Sequence, residues 1–501
     1  MATEFSKVNL DYNVPCNDGR MLYQFDPKGR HLRTLNALTG AVMLRFEYNA
    51  QGQLTAQIDG DGDALGITRT ASAVRLTAPD GQVTEIVLNP DGFASSVATL
   101  ATDQQWQLRY NAPNTGLLAS FQRPNGHPPS TFTYLNGVLF RDRNARGGGF
   151  DFQHFRAANG SDYRQTRIRR VEGGDRSIEK FRSNLLGYSR QTLPDGSSLT
   201  TSASGALAQF GRSPQEMLTT SLQQPGALFG LAATFSASAS SKTPAGVGFV
   251  RTNAQNATVP IGAQLGGVNL QMSSNVSDLK GDSARLKLAN YNAAKRTWSY
   301  TTAESRTSTA QIDAQGRPLS TQFADLAPVV YEYDARGRVK KLTQGSGIEA
   351  RVTDLEYDAF GFVRLIKDPL QRELVLTNDA IGRTTKMRLP DLREVEFDFD
   401  ANNNITGVKP PMRDWHRFRY DTTDKLAGYD PPNLAGISAP ATDYGYNLHP
   451  RLTSITRPDA RNIMLTQDPG AVGPEPCPMR YEPELAMQFH PSMSLKVGSA
   501  G

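Results

Sequence analysis

Six aspartates recur through the second half of this 501-residue chain: Asp313, Asp334, Asp358, Asp379, Asp400 and Asp421, separated by 21, 24, 21, 21 and 21 residues. Carboxylates serve general acid/base catalysis and bind hard cations, so a row of them has to be weighed as chemistry first. Catalysis needs one unique constellation, whereas these six are equivalent. A short carboxylate that accepts a hydrogen bond from a backbone N–H two residues on explains one aspartate per turn better. A second cluster, Asp59, Asp61 and Asp63 in DGDGDA, imitates the start of a calcium loop. Ala64 stands where that loop needs glycine and Thr70 where it needs a bidentate glutamate, so an exposed turn is expected. The six histidines are scattered, and His416 in MRDWHRFRY reads as a half-exposed strand residue. Cys16 and Cys477, at opposite ends, make neither a disulfide framework nor a metal site. GxSxG, HExxH, P-loop, CxxC and phased GxGxxG motifs are all absent. No catalytic residue, metal ligand or cofactor is assigned, and the expectation is a protein that is not an enzyme.

The elements that position the aspartates follow from the phrase around them: IDAQGR, YDARGR, YDAFGF, NDAIGR, FDANNN and YDTTDK. A fixed period means a supersecondary unit copied in series. Three and one residues before the aspartate stand Tyr331 and Tyr333, Leu355 and Tyr357, Phe397 and Phe399, or Phe418 and Tyr420, an alternation that puts rings on one strand face. Asn378, beside Leu376, is the exception. Three residues after the aspartate comes Gly316, Gly337, Gly361 or Gly382, fit for a positive φ, and then Asn403 and Asp424, the types that best tolerate it otherwise. Beyond the turn the apolar residues are spaced by three, as at Val339 and Leu342, which predicts a bulge or a strand covered on both faces. Each unit is therefore a β-hairpin, and hairpins marginal alone must pair side by side.

The same grammar appears more loosely upstream. Tyr23 and Phe25 precede Asp26, with Gly29 after it, and Phe46 and Tyr48 precede Asn49, with Gly52 after it. Residues 1–19 form an N-terminal segment, 20–200 divergent hairpins, 201–305 a Ser/Thr/Gly/Ala-rich β region, 306–465 the strict repeats and 466–501 a Pro-rich tail expected to be disordered. Between Ser197 and Gly262 the only charges are Arg212, Glu216, Lys242 and Arg251; continued sheet is preferred there over a flexible linker. A hydrophobic share of 38% and a mean hydropathy of −0.46 disfavour a thick two-layer core. The net charge of +5 fits a solvated surface and not a nucleic-acid groove. No run approaches 18 apolar residues, so no helical membrane span is expected, and the N-terminus shows no signal peptide.

The repeated phrase, with LPDLREVEFDFDANNNITGVKPP and LTSITRPDARNI, resembles the YD repeat of the RHS (rearrangement hotspot) family, which is shared with bacterial toxin-complex proteins and animal teneurins. The match is specific across about 310 to 465. The resemblance implies an all-β fold of serial antiparallel hairpins in a curved, spiralling, partial shell. In that family the shell encloses a C-terminal toxin, so the implied partners are such a domain or the remaining RHS core, with secretion machinery. The complete protein would be secreted or at the cell surface. Family members continue into a plug-like module with a DPxG motif; Asp468-Pro469-Gly470 has the wrong spacing, and the chain reads as an incomplete RHS core. Two other readings stand beside the scaffold: a surface module holding glycans or a partner protein, and an unrecognised hydrolase within 200 to 300, which the lack of any acid/base cluster disfavours.

Overall fold

The computed structural model describes residues 11–465 except 103, 112, 157–163, 172–175, 183–185, 194–195, 205–207, 214, 259–265, 280–284 and 434–440. The tail expected to be disordered lies outside the described residues. Among the described residues forty strands form one antiparallel sheet in which each strand pairs with its neighbours in the chain. No α-helix occurs among the described residues, and Gly347–Glu349 makes a single 3-10 turn. The first described strand, Tyr12–Pro15, pairs with Met21–Phe25, and the last, Asn462–Met464, with Leu452–Thr456, and neither has a second strand partner among the described residues. The expected fold, serial hairpins zipped into a curved spiral, is the one observed.

One repeat shows how the sequence builds it. Val329–Tyr333 pairs with Val339–Gln344, setting Tyr331 opposite Leu342 and Tyr333 opposite Val339. The register shifts between Glu332 and Tyr333, leaving Lys340 as the extra residue. This bulge is what turns a period of two into a spacing of three, because skipping Lys340 returns Leu342 to the ring face. The same shift recurs beside Tyr357, Asn378, Phe399, Tyr420 and Tyr446, and in the first half beside Phe25, Tyr48, Leu88 and Tyr110. The opposite face carries cross-strand ion pairs such as Lys386–Glu394 (2.9 Å) and Lys409–Glu396 (3.1 Å).

The Ser/Thr-rich centre is sheet as well. Its strands are the longest, with Gly230–Lys242 running 13 residues and Gly248–Thr258 running 11. The wall is one layer thick: among the described residues the buried apolar side chains are Leu22, Ala37, Ala233, Ala237, Leu270, Tyr291 and Phe362, and no large side chain is fully enclosed. The low hydrophobic share is thus matched by a fold that has little interior to fill.

The sheet coils so that its later hairpins lie beside its earlier ones. Turns of the strict repeats touch turns of the first 150 residues through bonds that join positions 255 to 304 apart in sequence. Two stretches are thereby set edge to edge, a first coil from Tyr12 to Arg156 and a second from Thr307 to Met464.

Candidate functional site

Every strict repeat folds its aspartate back on its own turn. At Asp334, Oδ1 accepts the N–H groups of Arg336 (2.9 Å) and Arg338 (3.0 Å), and Oδ2 accepts Arg338 Nε (2.8 Å). The backbone closes around it, with the Asp334 N–H donating to the Arg338 carbonyl at 2.8 Å and Gly337 to the Asp334 carbonyl at 3.1 Å. Asp26, Asp313 and Asp379 hold Arg30, Arg317 and Arg383 in the same way, each Nε–Oδ2 distance being 2.6 Å. Asp358, Asp400 and Asp421 cap their turns through Oδ1 alone or with amide and hydroxyl partners, and Asn49 does so with its amide oxygen. The turn glycines take φ of 92°, 68°, 81° and 86° at Gly316, Gly337, Gly361 and Gly382; Asn403 (69°) and Asp424 (59°) share the conformation, as do Gly29 and Gly52 in the first coil.

Where a ring stands just before the turn, it ties its unit to the previous one. Tyr333 Oη donates to the Pro318 carbonyl (2.7 Å), Tyr357 to Val339 (2.7 Å), Tyr420 to Ile405 (2.9 Å) and Tyr48 to His31 (2.8 Å). The previous turn's arginine lies over the same ring: Arg317 on Tyr333 at 4.8 Å, Arg338 on Tyr357 at 4.2 Å, Arg383 on Phe399 at 5.0 Å and Arg30 on Tyr48 at 5.6 Å. Such stacking adds roughly 0.5–1 kcal/mol at partly exposed sites. Tyr23, Phe25 and Phe46 surround His31, and Phe418 packs on Tyr429. Phe397 faces Val408, and Tyr331 faces Leu342. His416, on the strand His416–Tyr420, is partly buried and shares a 2.6 Å hydrogen bond with Tyr429 through Nδ1.

Electrostatics follow from this packing. Burial pushes the Tyr333 phenol up to about 12, helped by the Asp313 carboxylate and opposed by Arg317. Burial also raises Asp334, but the hydrogen bonds from Arg338 and Arg336 outweigh it and hold the carboxyl below its ordinary value. Arg336 is raised, first by its bond to Asp80 and, against desolvation, by Asp63.

The second coil's aspartate turns form the face that meets the first coil. Arg317 Nη1 reaches Asp61 Oδ2 at 2.7 Å, and Arg336 reaches Asp63 Oδ2 at 2.7 Å while also pairing with Asp80. Further along, Arg146 Nη1 meets Asp421 Oδ2 at 2.7 Å, Arg123 pairs with Asp424, and Asn125 Nδ2 donates to Asp400 Oδ2 at 2.9 Å. Gln104 donates to Asn403, Gln82 to the Ala380 carbonyl and Asn144 Nδ2 to the Leu448 carbonyl at 2.9 Å. The seam is almost wholly polar. Its glycines do more than supply φ: a Cβ on Gly337 would lie 2.1 Å from an Asp61 oxygen, and one on Gly361 2.7 Å from an Asp80 oxygen. Where glycine is replaced, the new side chain crosses the seam instead, Asn403 to Gln104 and Asp424 to Arg123.

The DGDGDA cluster is thus a seam turn: Asp59 Oδ1 accepts the N–H groups of Asp61 (3.0 Å) and Asp63 (2.9 Å), and the two later carboxylates face arginines. Among the described residues no three His, Cys, Asp or Glu side chains gather as a cation site. No helix of the described residues is long and apolar enough to cross a membrane. The sequence showed the recurring Gly-Arg pair, Arg30 included, but gave no role to Arg30, Arg317, Arg338 and Arg383, which bind the turn aspartates. Sequence reasoning also overlooked Asp61, Asp63, Asp80, Arg123 and Arg146 as seam partners, since nothing local marks a contact 250 residues away.

The Teneurin YD-shell family model matches residues 9–467. Teneurin-1 of Mus musculus is 34% identical over 121 residues, 24% of this chain and 4% of the teneurin; Teneurin-4 of Homo sapiens is 30% identical over 135 residues, 26% and 5% of the two. The aligned stretches therefore span only about a twentieth of those relatives. Among solved structures, a crystal structure of TcdB2-TccC3-TEV aligns with a TM-score of 0.45 and 12% identity, covering 90% of this chain and 27% of that one. The Photorhabdus luminescens Tc holotoxin pore aligns with a TM-score of 0.43 and 10% identity, over 92% and 28%. Given the match along nearly the whole described sheet, the chain belongs to the teneurin YD-shell family, as a shell-type scaffold of YD hairpins.

Proposed function

We propose that this chain is a non-enzymatic wall segment of a hollow shell that encloses a polypeptide carried by the same gene product. The enclosed segment, by the RHS resemblance, is a C-terminal toxin domain held away from its targets until release, and the complete protein acts secreted or at the cell surface. The observation that carries this reading is the seam. Among the described residues a sheet one layer thick is laid against itself, turn rim on turn rim, by Arg317–Asp61, Arg336–Asp63 and Arg146–Asp421, an arrangement that suits a wall. Coiling also covers one rim of turns on each coil.

Limited proteolysis of the gene product containing this chain tests it, with fragments followed by mass spectrometry. The polypeptide after the repeats is expected to resist cleavage until the wall is opened by denaturant. Cleavage of that segment at the rate of the same segment expressed alone, or a gene product with no folded or foldable domain beyond the repeats, overturns the enclosure reading.

A further inference from the structure

The covered turns of the first coil seat between consecutive aspartate turns of the second. Asp61 pairs with Arg317 of the Asp313 turn and crowds Gly337 of the next, and Asp80 pairs with Arg336 of the Asp334 turn and crowds Gly361 of the next. Arg123 and Asn125 share one turn and reach Asp424 and Asp400, which belong to neighbouring turns. Arg146 and Asn144 likewise reach Asp421 and the Leu448 carbonyl. Interlocked in this way, the rims resist sliding. Among the described residues no strand of the first coil pairs with a strand of the second, so the coils part without breaking a ladder.

The charges change sides along the seam. Near its start the first coil supplies the carboxylates, Asp61, Asp63 and Asp80, and the second the arginines, Arg317 and Arg336. Further on the first coil supplies Arg123 and Arg146, and the second Asp424 and Asp421. A displacement that carried one half of the seam onto the other would set like charges together, so repulsion as well as attraction selects the closed register. At the far end Phe150 meets His449, ring centroids 5.7 Å apart. The ion pairs are partly exposed, Arg317 and Asp61 by 18% and 23% and Arg146 and Asp421 by 27% and 10%, so dissolved ions reach them. The seam also shelters the rim. Gln104, at a turn of a wall one layer thick, is 4% exposed with the Asn403 turn lying on it, whereas Leu392 and Met412, on the same rim where no described coil lies, are 72% and 95% exposed.

We propose that the seam is a latch worked by ionic strength: the two coils part along it as intact sheets and close again in the same register. Raising the salt from about 0.1 M to about 1 M shortens the screening length from about 10 Å to about 3 Å, which weakens the crossing pairs. Each such pair is individually weak, so opening needs only that several fail together. The ladder bonds and ring contacts inside each coil do not depend on charge and stay in place. The latch belongs to the wall alone and works whether or not a polypeptide lies inside it.

Alkylation of the full chain carrying Gln104→Cys tests the latch. Iodoacetamide uptake at position 104 is read by peptide mass spectrometry beside uptake at a second substitution, Ser72→Cys, on an exposed turn of the first coil's other rim. Going from about 0.1 M to about 1 M salt is expected to speed uptake at 104 about tenfold relative to 72, with an unchanged β spectrum, and return to low salt to restore the slow rate. Adding Arg123→Met, Arg317→Met and Arg336→Met is expected to make uptake fast at both salt levels. Uptake at 104 that ignores or falls with salt, a salt response accompanied by loss of the β spectrum, or a fast rate that persists after return to low salt each overturns the latch. So does a folded methionine variant that keeps its parent's salt response; if that variant does not fold, the response of the Gln104→Cys chain decides alone.

Discussion

Tyr333 combines three roles of the repeat in one side chain: it donates to the Pro318 carbonyl, supports Arg317 on its ring and precedes the turn at Asp334. Its phenol, pushed up to about 12, is favoured in the protonated form by the fold. A group raised in this way contributes stability that is fully present below the unfolded tyrosine value near 10 and is lost as pH climbs to about 12. A difference titration of phenolate absorbance between wild type and Tyr333→Phe should show one phenol ionising near that upper limit; an ionisation near 10 would contradict the burial described. Asn378 shows how much of this could be read beforehand. It stood out as the one break in the ring pattern, and the repeat before it lacks the arginine, having Phe362 instead. The amide of Asn378 takes over both absent contacts, donating to the Val363 carbonyl (2.9 Å) in place of a tyrosine and to Asp358 Oδ2 (3.1 Å) in place of an arginine. The anomaly was legible; its remedy needed coordinates, because two repeats had changed together.

Hairpin pairing and the seam differ in how they hold. Within a hairpin, ladder bonds and the ring face act locally; the three-residue apolar spacing pointed to a bulge or to a strand covered on both faces, and the structure has the bulge, at Lys340. Across the seam the bonds are polar and partly wet, with Arg336 29% and its partners Asp63 and Asp80 26% and 17% exposed. Replacing Arg336 with methionine keeps the stem and removes both pairs, and should cost about 1–2 kcal/mol of local stability after allowing for partial exposure. Hydrogen exchange should report it as faster opening of the turns at Asp59–Asp63 and Ala78–Gln82 together with Asp334–Arg338, while the strands between keep their protection. Loss confined to Asp334–Arg338 would mean that the seam does not couple the coils. The aspartate turns could be assigned from spacing, but their outward partners could not, since Asp61 and Asp80 look like any exposed turn carboxylates.

At the scale of the molecule the fold class, the serial hairpins and the curvature were legible, because a 21-residue period and sparse apolar residues leave one arrangement that satisfies both. The coil-on-coil register was not, since it depends on accumulated twist over many strands. A single-layer wall has a scattering signature: solution X-ray data should contain a thickness regime corresponding to about 10 Å. A curve fitted by a solid globule, with a radius of gyration near the roughly 23 Å of a compact chain of this length, would exclude the open wall. The strictly sequential pairing bears on biosynthesis. Each strand finds its partner among residues just translated, so the ribbon can lengthen in step with the ribosome and never waits for a distant segment. The Arg336 clasp, by contrast, needs polypeptide made 256 residues after Asp80, and so it closes late. Winding therefore precedes locking, and the clasps between the two coils are the last part of the described fold to form.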